Sequence, residues 1–445
     1  MNMSLRRALA ATAALLLLSF SASASAQDRA SPEAVSSYLS INGLNALIWR
    51  PAASSAHSGV VLVGMHDESN NMNHLSGPNL ARRGYTIINA NARHAPDADD
   101  RDTDWDAVLT DVATVVKYAR AMPGVTKVVL LGHSSGGPLM SAYQNIAENG
   151  LKACNGPEKI IKCPASLAAL PKADGLIILD PIWGVGANAL NSIEPGYINE
   201  QSPRELNPTL DSYRPQNGYD PKGSNYSAAF KARFFAGQAA RNNRIIAQAQ
   251  ARYRQIQAGR GKYADDEPFL VPGATRRPRL WPTDLHLLVH TKGAYLLLKA
   301  DGTTPTQVIR SVRPTSGTTP TSSTTGGMLN TTVRRYLSTF ATRALPGYAI
   351  GEDGVTGIDW ASSYSNTPNN VEGVTAPLLV MGMTGHYWLV SSELAYEHAG
   401  ARDKSIAFVE GATHGIAPCM TCNGHYGDTI GRTFDYIAKW MDSRF

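Results

Sequence analysis

Gly132-His133-Ser134-Ser135-Gly136-Gly137 is the stretch on which the reading turns: an apolar β-rich run (127–131) feeds into it and a helical pattern (138–148) leaves it. Small residues two positions to either side of Ser134 let the backbone turn tightly enough to lift the serine hydroxyl clear of a sheet edge. The helix behind aims its N-terminal N–H groups at negative charge developing there. G-x-S-x-G alone recurs by chance. Flanked by strand and helix it reads as a nucleophile elbow, with Ser134 the nucleophile, rather than a glycine-rich turn with a helix-capping serine.

Working outward, short β-rich runs at 60–63, 85–90, 127–131, 175–179, 377–381 and 405–409 alternate with amphipathic stretches. Apolar on both sides, these runs predict central strands covered by helices on both faces. Helical spacing of Val108, Val112, Val115, Val116 and Tyr118 places a helix at 106–120; a last helix is expected at 428–440 and an antiparallel edge at 38–50. The fold class is therefore α/β with a mostly parallel sheet. Its alternation breaks after Trp183 and resumes at Ala376, so residues 27–183 and 376–445 read as two halves of one core. Between them, 184–375 reads as a cap insertion over the carboxyl edge of the sheet. It carries a Pro/Asn/Tyr-rich start (193–226), a long helix (228–257), strands at 285–290, 294–299 and 307–312, and a Thr/Ser/Gly tract (314–327).

A serine hydroxyl needs an adjacent base, and the expected place is a loop after the final strand. His414 occupies it, in Glu410-Gly411-Ala412-Thr413-His414-Gly415; His398 falls on a helix, His425 in a cysteine-bordered loop, and His133 is read as packing. The third member is a carboxylate that orients the imidazole. After the run 377–381 the chain reads Gly382-Met383-Thr384-Gly385-His386-Tyr387-Trp388, with no acid. Asp180, ending an apolar strand at the carboxyl edge, is the preferred candidate. Glu393 is the alternative, although a helix's first turn favours an acid for the dipole alone.

With GHSSGG, the segment Leu179-Asp180-Pro181-Ile182-Trp183-Gly184 and a histidine after the last strand, the chain resembles the platelet-activating-factor acetylhydrolases; pancreatic-type lipases share the arrangement. The resemblance spans 60–183 and 377–445 and stops at the insertion. It implies the α/β-hydrolase fold and an acid after the strand that follows the elbow helix, hence Asp180.

An oxyanion hole needs two backbone N–H donors, expected from Ser135 and from Met65 or His66 in the loop after the first core strand. His66, Trp183, Tyr387 and Trp388 are candidate substrate-lining residues, with core packing the equal alternative for the aromatic ones. Asp97, Asp99, Asp100, Asp102, Asp104 and Asp106 offer oxygen ligands but lack the glycine and distal glutamate of a calcium loop, so no metal is expected. No cofactor is expected either.

Arg6 and Arg7, an apolar run (8–20) and Ala24-Ser25-Ala26 read as a secretory signal peptide at 1–26, too short to span a bilayer. Its removal lowers the formal charge from +5 to +3, which implies neither nucleic acid nor an anionic membrane as partner. In a periplasmic or secreted setting Cys154, Cys163, Cys419 and Cys422 are expected in disulfides, their connectivity open. The function expected is an exported serine hydrolase acting on a small-molecule or oligomeric ester through an acyl-enzyme. A peptidase or amidase, and an inactive binding protein on the same scaffold, are the alternatives.

Overall fold

The computed structural model describes residues 33–94, 103–200, 205–274, 278–315 and 327–445. The expected signal peptide, Asp97, Asp99, Asp100, Asp102 and most of the tract 314–327 lie outside the described residues. A hairpin comes first, β1 (Ala34–Ile41) and β2 (Leu44–Pro51), turning at Asn42-Gly43 where both residues take positive φ (50° and 85°). Next come β3 (Val60–His66), β4 (Thr86–Asn91), β5 (Lys127–His133) and β6 (Gly175–Leu179). The stretch read as an insertion supplies β7 (Pro268–Pro272), β8 (His290–Leu298), β9 (Thr306–Arg310), β10 (Met328–Thr332), β11 (Ala344–Ile350) and β12 (Val355–Ile358). Two core strands follow, β13 (Leu378–Met383) and β14 (Lys404–Val409). Helices are α1 (Ser76–Ala81), α2 (Trp105–Ala121), α3 (Gly136–Asn149), α4 (Val185–Ser192), α5 (Ala228–Gln257), the single turn α6 (Val333–Arg335), α7 (Thr367–Glu372), α8 (Leu389–His398) and α9 (Thr429–Asp442).

Ten strands form one sheet in the order β1-β2-β4-β3-β5-β6-β13-β14-β8-β9, parallel from β4 through β8 and antiparallel at both ends. Successive side chains of a strand face opposite ways, so a strand covered on both sides must be apolar throughout. Val61, Val63, Leu130, Ile178 and Val380 accordingly join Val108, Val112 and Leu139 of α2 and α3 in one apolar layer. Leu62, Val129, Ile177 and Leu379 join Leu80 of α1 and Phe434, Ile437 and Met441 of α9 in the other.

The stretch 184–375, expected as a cap, also builds part of the central sheet. Its ends are stitched together beside the core by a Gly184–Asn366 bridge and by Thr367 N–H donating to the Trp183 carbonyl at 2.8 Å. Its long helix α5 starts at Ser227, whose hydroxyl accepts the Phe230 N–H at 3.2 Å, and it buries Phe230, Phe234, Phe235, Ile245 and Ile246. The strands foreseen at 294–299 and 307–312, however, extend the central sheet: β8 lies parallel to β14, with Leu296, Leu297 and Leu298 opposite Ala407, Phe408 and Val409. Without β8, β14 would present unpaired backbone at a sheet edge. The run 285–290, read as a strand, is turned as far as Val289. It curls around buried Arg313, which donates to the Leu287 and Leu288 carbonyls at 2.6 and 2.7 Å, while the Asp284 carboxylate accepts the His286 N–H at 2.9 Å. Among the described residues, no helix is long and apolar enough to cross a membrane.

Cys154 bonds to Cys163 and Cys419 to Cys422, closing the connectivity left open by the sequence. Mass spectrometry of unreduced protein produced in an oxidising compartment should therefore detect no free thiol; four alkylatable cysteines would overturn the pairing.

Candidate active site

The elbow is built by steric necessity. Ser134, between β5 and α3, has φ +58°, and its N–H donates to the Leu179 carbonyl at 3.0 Å. A Cβ on Gly132 would stand 2.1 Å from the Gly136 carbonyl oxygen, and one on Gly136 would stand 2.6 Å from that of Met65. Neither position admits a side chain, and the second packs the start of α3 against the carboxyl end of β3.

His414 reaches the serine from the loop after β14, which is tied down locally. Gly411 N–H donates to Thr384 Oγ1 at 2.7 Å, Thr413 N–H to the Ala417 carbonyl at 2.8 Å, and Cys419 N–H to the Gly411 carbonyl at 2.8 Å. His414 Nε2 lies 2.8 Å from Ser134 Oγ, and Nδ1 lies 2.6 Å from Asp180 Oδ2. An ionised carboxylate only accepts, so Nδ1 carries the proton and Nε2 is left to accept from the hydroxyl. Asp180 is fully buried at the end of β6 with φ +41°. Its Oδ1 accepts the Met383 N–H at 3.2 Å. Burial by itself would push this carboxyl up; the imidazoles of His386 and His414 outweigh it and hold the pKa down to about 2.

Two further histidines touch the same loop. His133 Nε2 donates to the His414 carbonyl at 2.6 Å, and its Nδ1 lies 3.1 Å from His74 Nε2. A carbonyl can only accept, so His133 is protonated on Nε2 and His74 donates to it. His386, after β13, sets its Nδ1 3.2 Å from Asp180 Oδ2, a contact without hydrogen-bond angles. Its ring stacks on His414 with centroids 4.5 Å apart and planes 25° apart. Sequence reasoning gave His386 no role, although the missing carboxylate in that very segment was the signal that could have found it. His133, read as packing, anchors the loop carrying His414 as well.

Glu393 is turned elsewhere. Both its oxygens accept backbone N–H groups of β8, from Lys292 at 3.0 Å and Gly293 at 2.7 Å, where the β8–β9 register shifts. His398 pairs with Glu372 at 2.7 Å.

Met65 and His66 end β3 beside α3, next to Ser135. The Ser135 hydroxyl donates to buried Asp67 and lies 2.9 Å from His66 Nε2, while His66 Nδ1 accepts the N–H groups of Glu68 and Ser69 at 3.2 and 3.1 Å. One polar knot thus joins the residue after Ser134 to the loop expected to supply the second oxyanion donor. Trp183 and Trp388 pack edge-on with Trp281, all three buried, in an aromatic core cluster. Tyr387 is half-buried and lies tilted against His386 with centroids 4.0 Å apart. Among the described residues, Asp180, His386 and His414, and separately His66, Asp67 and Glu68, bring three potential ligand atoms within 4.8 Å of one another. The hydrogen bonds above already occupy the His414 and His66 nitrogens, and a metal would have to break them.

Over residues 41–420 the chain matches the alpha/beta hydrolase family, and it belongs to that family. Similar solved structures include a hypothetical protein from Pseudomonas aeruginosa, 11% identical over 94% of this chain and 95% of that one, with a TM-score of 0.41. Est1E from Butyrivibrio proteoclasticus is 11% identical over 92% and 98%, with a TM-score of 0.38. Esterase B from Lactobacillus rhamnosis is 10% identical over 93% and 89%, with a TM-score of 0.40. Likeness this distant says nothing of substrate. No curated protein matches the chain.

Proposed function

We propose that this chain is a serine hydrolase cleaving carboxylic esters, with Ser134 as nucleophile, His414 as general base and Asp180 as the orienting acid. The observation that carries the reading is the hydrogen-bonded line from Asp180 through His414 to Ser134, at 2.6 and 2.8 Å. Ser134 Oγ attacks the ester carbonyl as its proton passes to His414 Nε2, and the imidazolium returns that proton to the departing alcohol. Water then attacks the acyl-enzyme by the same route. Backbone N–H groups of Ser135 and of Met65 or His66 receive the oxyanion, held in register by the Ser135–His66–Asp67 knot. This chemistry needs no cofactor.

An acid at the end of β6 fits the parallel with platelet-activating-factor acetylhydrolases and pancreatic-type lipases. Two disulfides fit export to the periplasm or beyond, since such bonds persist in oxidising compartments. The test is a fluorophosphonate probe together with p-nitrophenyl esters of short and long acyl chains. Expected are covalent labelling at Ser134 and turnover of at least one ester; a purified, folded protein that neither labels nor turns over esters refutes the reading. Faster turnover of p-nitroanilides than of esters would make it an amidase.

A further inference from the structure

We infer that His386 is a positioning residue for His414: it supplies a neutral aromatic face against which the His414 imidazolium forms during acyl transfer. The inference deepens the serine-hydrolase reading and rests on it.

The stack is built before any substrate arrives. His386 lies face to face with His414 at 4.5 Å and 25°, and Tyr387 lies tilted against His386 at 4.0 Å and 31°. The segment bearing His386 is tied to the loop bearing His414 by Gly385 N–H donating to the Ala412 carbonyl at 2.8 Å and by the Gly411–Thr384 bond. Ser311 Oγ donates to the His386 carbonyl at 3.2 Å. The Nδ1 edge of His386 lies 3.2 Å from Asp180 Oδ2. The position that lacks a carboxylate therefore carries an imidazole turned to the carboxylate of the neighbouring strand.

While His414 is neutral the stack contributes little. Once the Ser134 proton arrives, a cation lies against an aromatic face, an attraction made in the transition state and not before it. The face must itself be uncharged. Burial and the neighbouring His414 bring the pKa of His386 down to about 4, which keeps it neutral at working pH.

Of the other ionisable groups around the stack, Asp180 from β6 is negative, and Arg313 is positive, its guanidinium over Tyr387 at 5.7 Å. His133 from β5 lies 4.8 Å from the His414 ring; burial holds it neutral well below the usual histidine range. His74, ahead of α1, is lowered to about 4 by burial and by His66 and His414. None of these groups offers His414 a parallel neutral face: the His133 ring is tilted by 38°.

The test is the second-order rate at which a fluorophosphonate labels Ser134, measured from pH 4 to 9 in wild type, His386→Ala and His386→Phe. In that reaction a bond forms from Ser134 Oγ to phosphorus, the phosphorus–fluorine bond breaks, fluoride leaves and the hydroxyl proton passes to His414. Without the face, the plateau rate in His386→Ala should fall about ten-fold. The acid limb should move by up to about one pH unit to lower pH, because the protonated base has lost the same stabilisation. His386→Phe keeps a face and loses the Nδ1 edge; it should label within about threefold of wild type with the acid limb unmoved. Overturning results are an unmoved limb and wild-type rate in His386→Ala, or a loss in His386→Phe as large as in His386→Ala. Should His386→Ala not fold, His386→Leu, which also lacks an aromatic face, takes its place in the comparison with His386→Phe. Wild-type Ser134 that does not react at all sinks the serine-hydrolase reading and this inference with it, whereas labelling insensitive to residue 386 sinks the inference alone.

Discussion

Ser134→Ala should lower turnover of a p-nitrophenyl ester by roughly a millionfold while shifting the melting temperature by no more than a few degrees. The first half follows from the geometry: Ser134 Oγ lies 2.8 Å from His414 Nε2, and a methyl group in its place offers neither a nucleophile nor a proton to transfer. The second half follows from the backbone. Alanine is no worse than serine at φ +58°, and losing one part-buried hydrogen bond costs about 1 kcal/mol. A residue of catalysis, about a thousandfold or more over water, should persist from the oxyanion donors. Steady-state kinetics beside thermal unfolding decide it. Activity within tenfold of wild type would move the nucleophile elsewhere; a collapse in melting temperature would make Ser134 structural first.

The core was legible in the sequence because burial on both faces leaves few polar positions in a strand; β4, with buried Asn89 and Asn91, is the exception. The run at 175–179 has the bounds of β6, and those at 60–63 and 127–131 continue two or three residues further into the elbow and the oxyanion loop. There polar or small residues serve the site rather than the core, and the apolar pattern fades although the strand goes on. The outer strands were harder. β8 carries Lys292 and Gly293 beside Leu296–Leu298 and resembles any half-buried strand, so its partner β14, far along the chain, could not be inferred from its own pattern. The run 285–290 failed for another reason: apolar Leu285 and Leu287 flank His286 as in a strand, but Arg313 gathers the Leu287 and Leu288 carbonyls and holds that part of the run in turns.

The site divides along the same line. Ser134 and His414 announce themselves through neighbours in sequence, a glycine pattern and a post-strand loop. His386 does not. Its significance lies in the ring of His414 and the carboxylate of Asp180, both contributed by other strands, and periodicity carries no information about such contacts. The Ser135–His66–Asp67 knot is legible only in part: His66 and Asp67 stood in the expected loop, but only the fold brings the Ser135 hydroxyl to them.

Asp180→Asn and Glu393→Gln separate the two carboxylates that compete for the third role. An amide at 180 retains the shape but no longer demands a proton on His414 Nδ1 and no longer balances the imidazolium, so turnover should fall about ten-thousandfold with little change in KM. Stability should respond to pH as well. The native Asp180 carboxyl is held down to about 2, below its ordinary 3.8, so it stabilises the fold above about pH 4 and that contribution is lost as pH falls through 2. In Asp180→Asn, unfolding free energy should lose that part of its acid dependence. Glu393 tells the opposite story: its two oxygens clamp the Lys292 and Gly293 N–H groups at the register shift of β8. A glutamine would set an NH2 against one of those donors, costing about 1–3 kcal/mol of stability. At least a tenth of the turnover should remain, because no part of the Asp180–His414–Ser134 line passes through residue 393. Kinetics and urea unfolding of the two variants side by side read both effects. The reverse pattern, a dead Glu393→Gln and an active Asp180→Asn, would transfer the acid to Glu393, require the chain to rearrange around His414 during catalysis, and leave only Ser134 and His414 in their assigned roles.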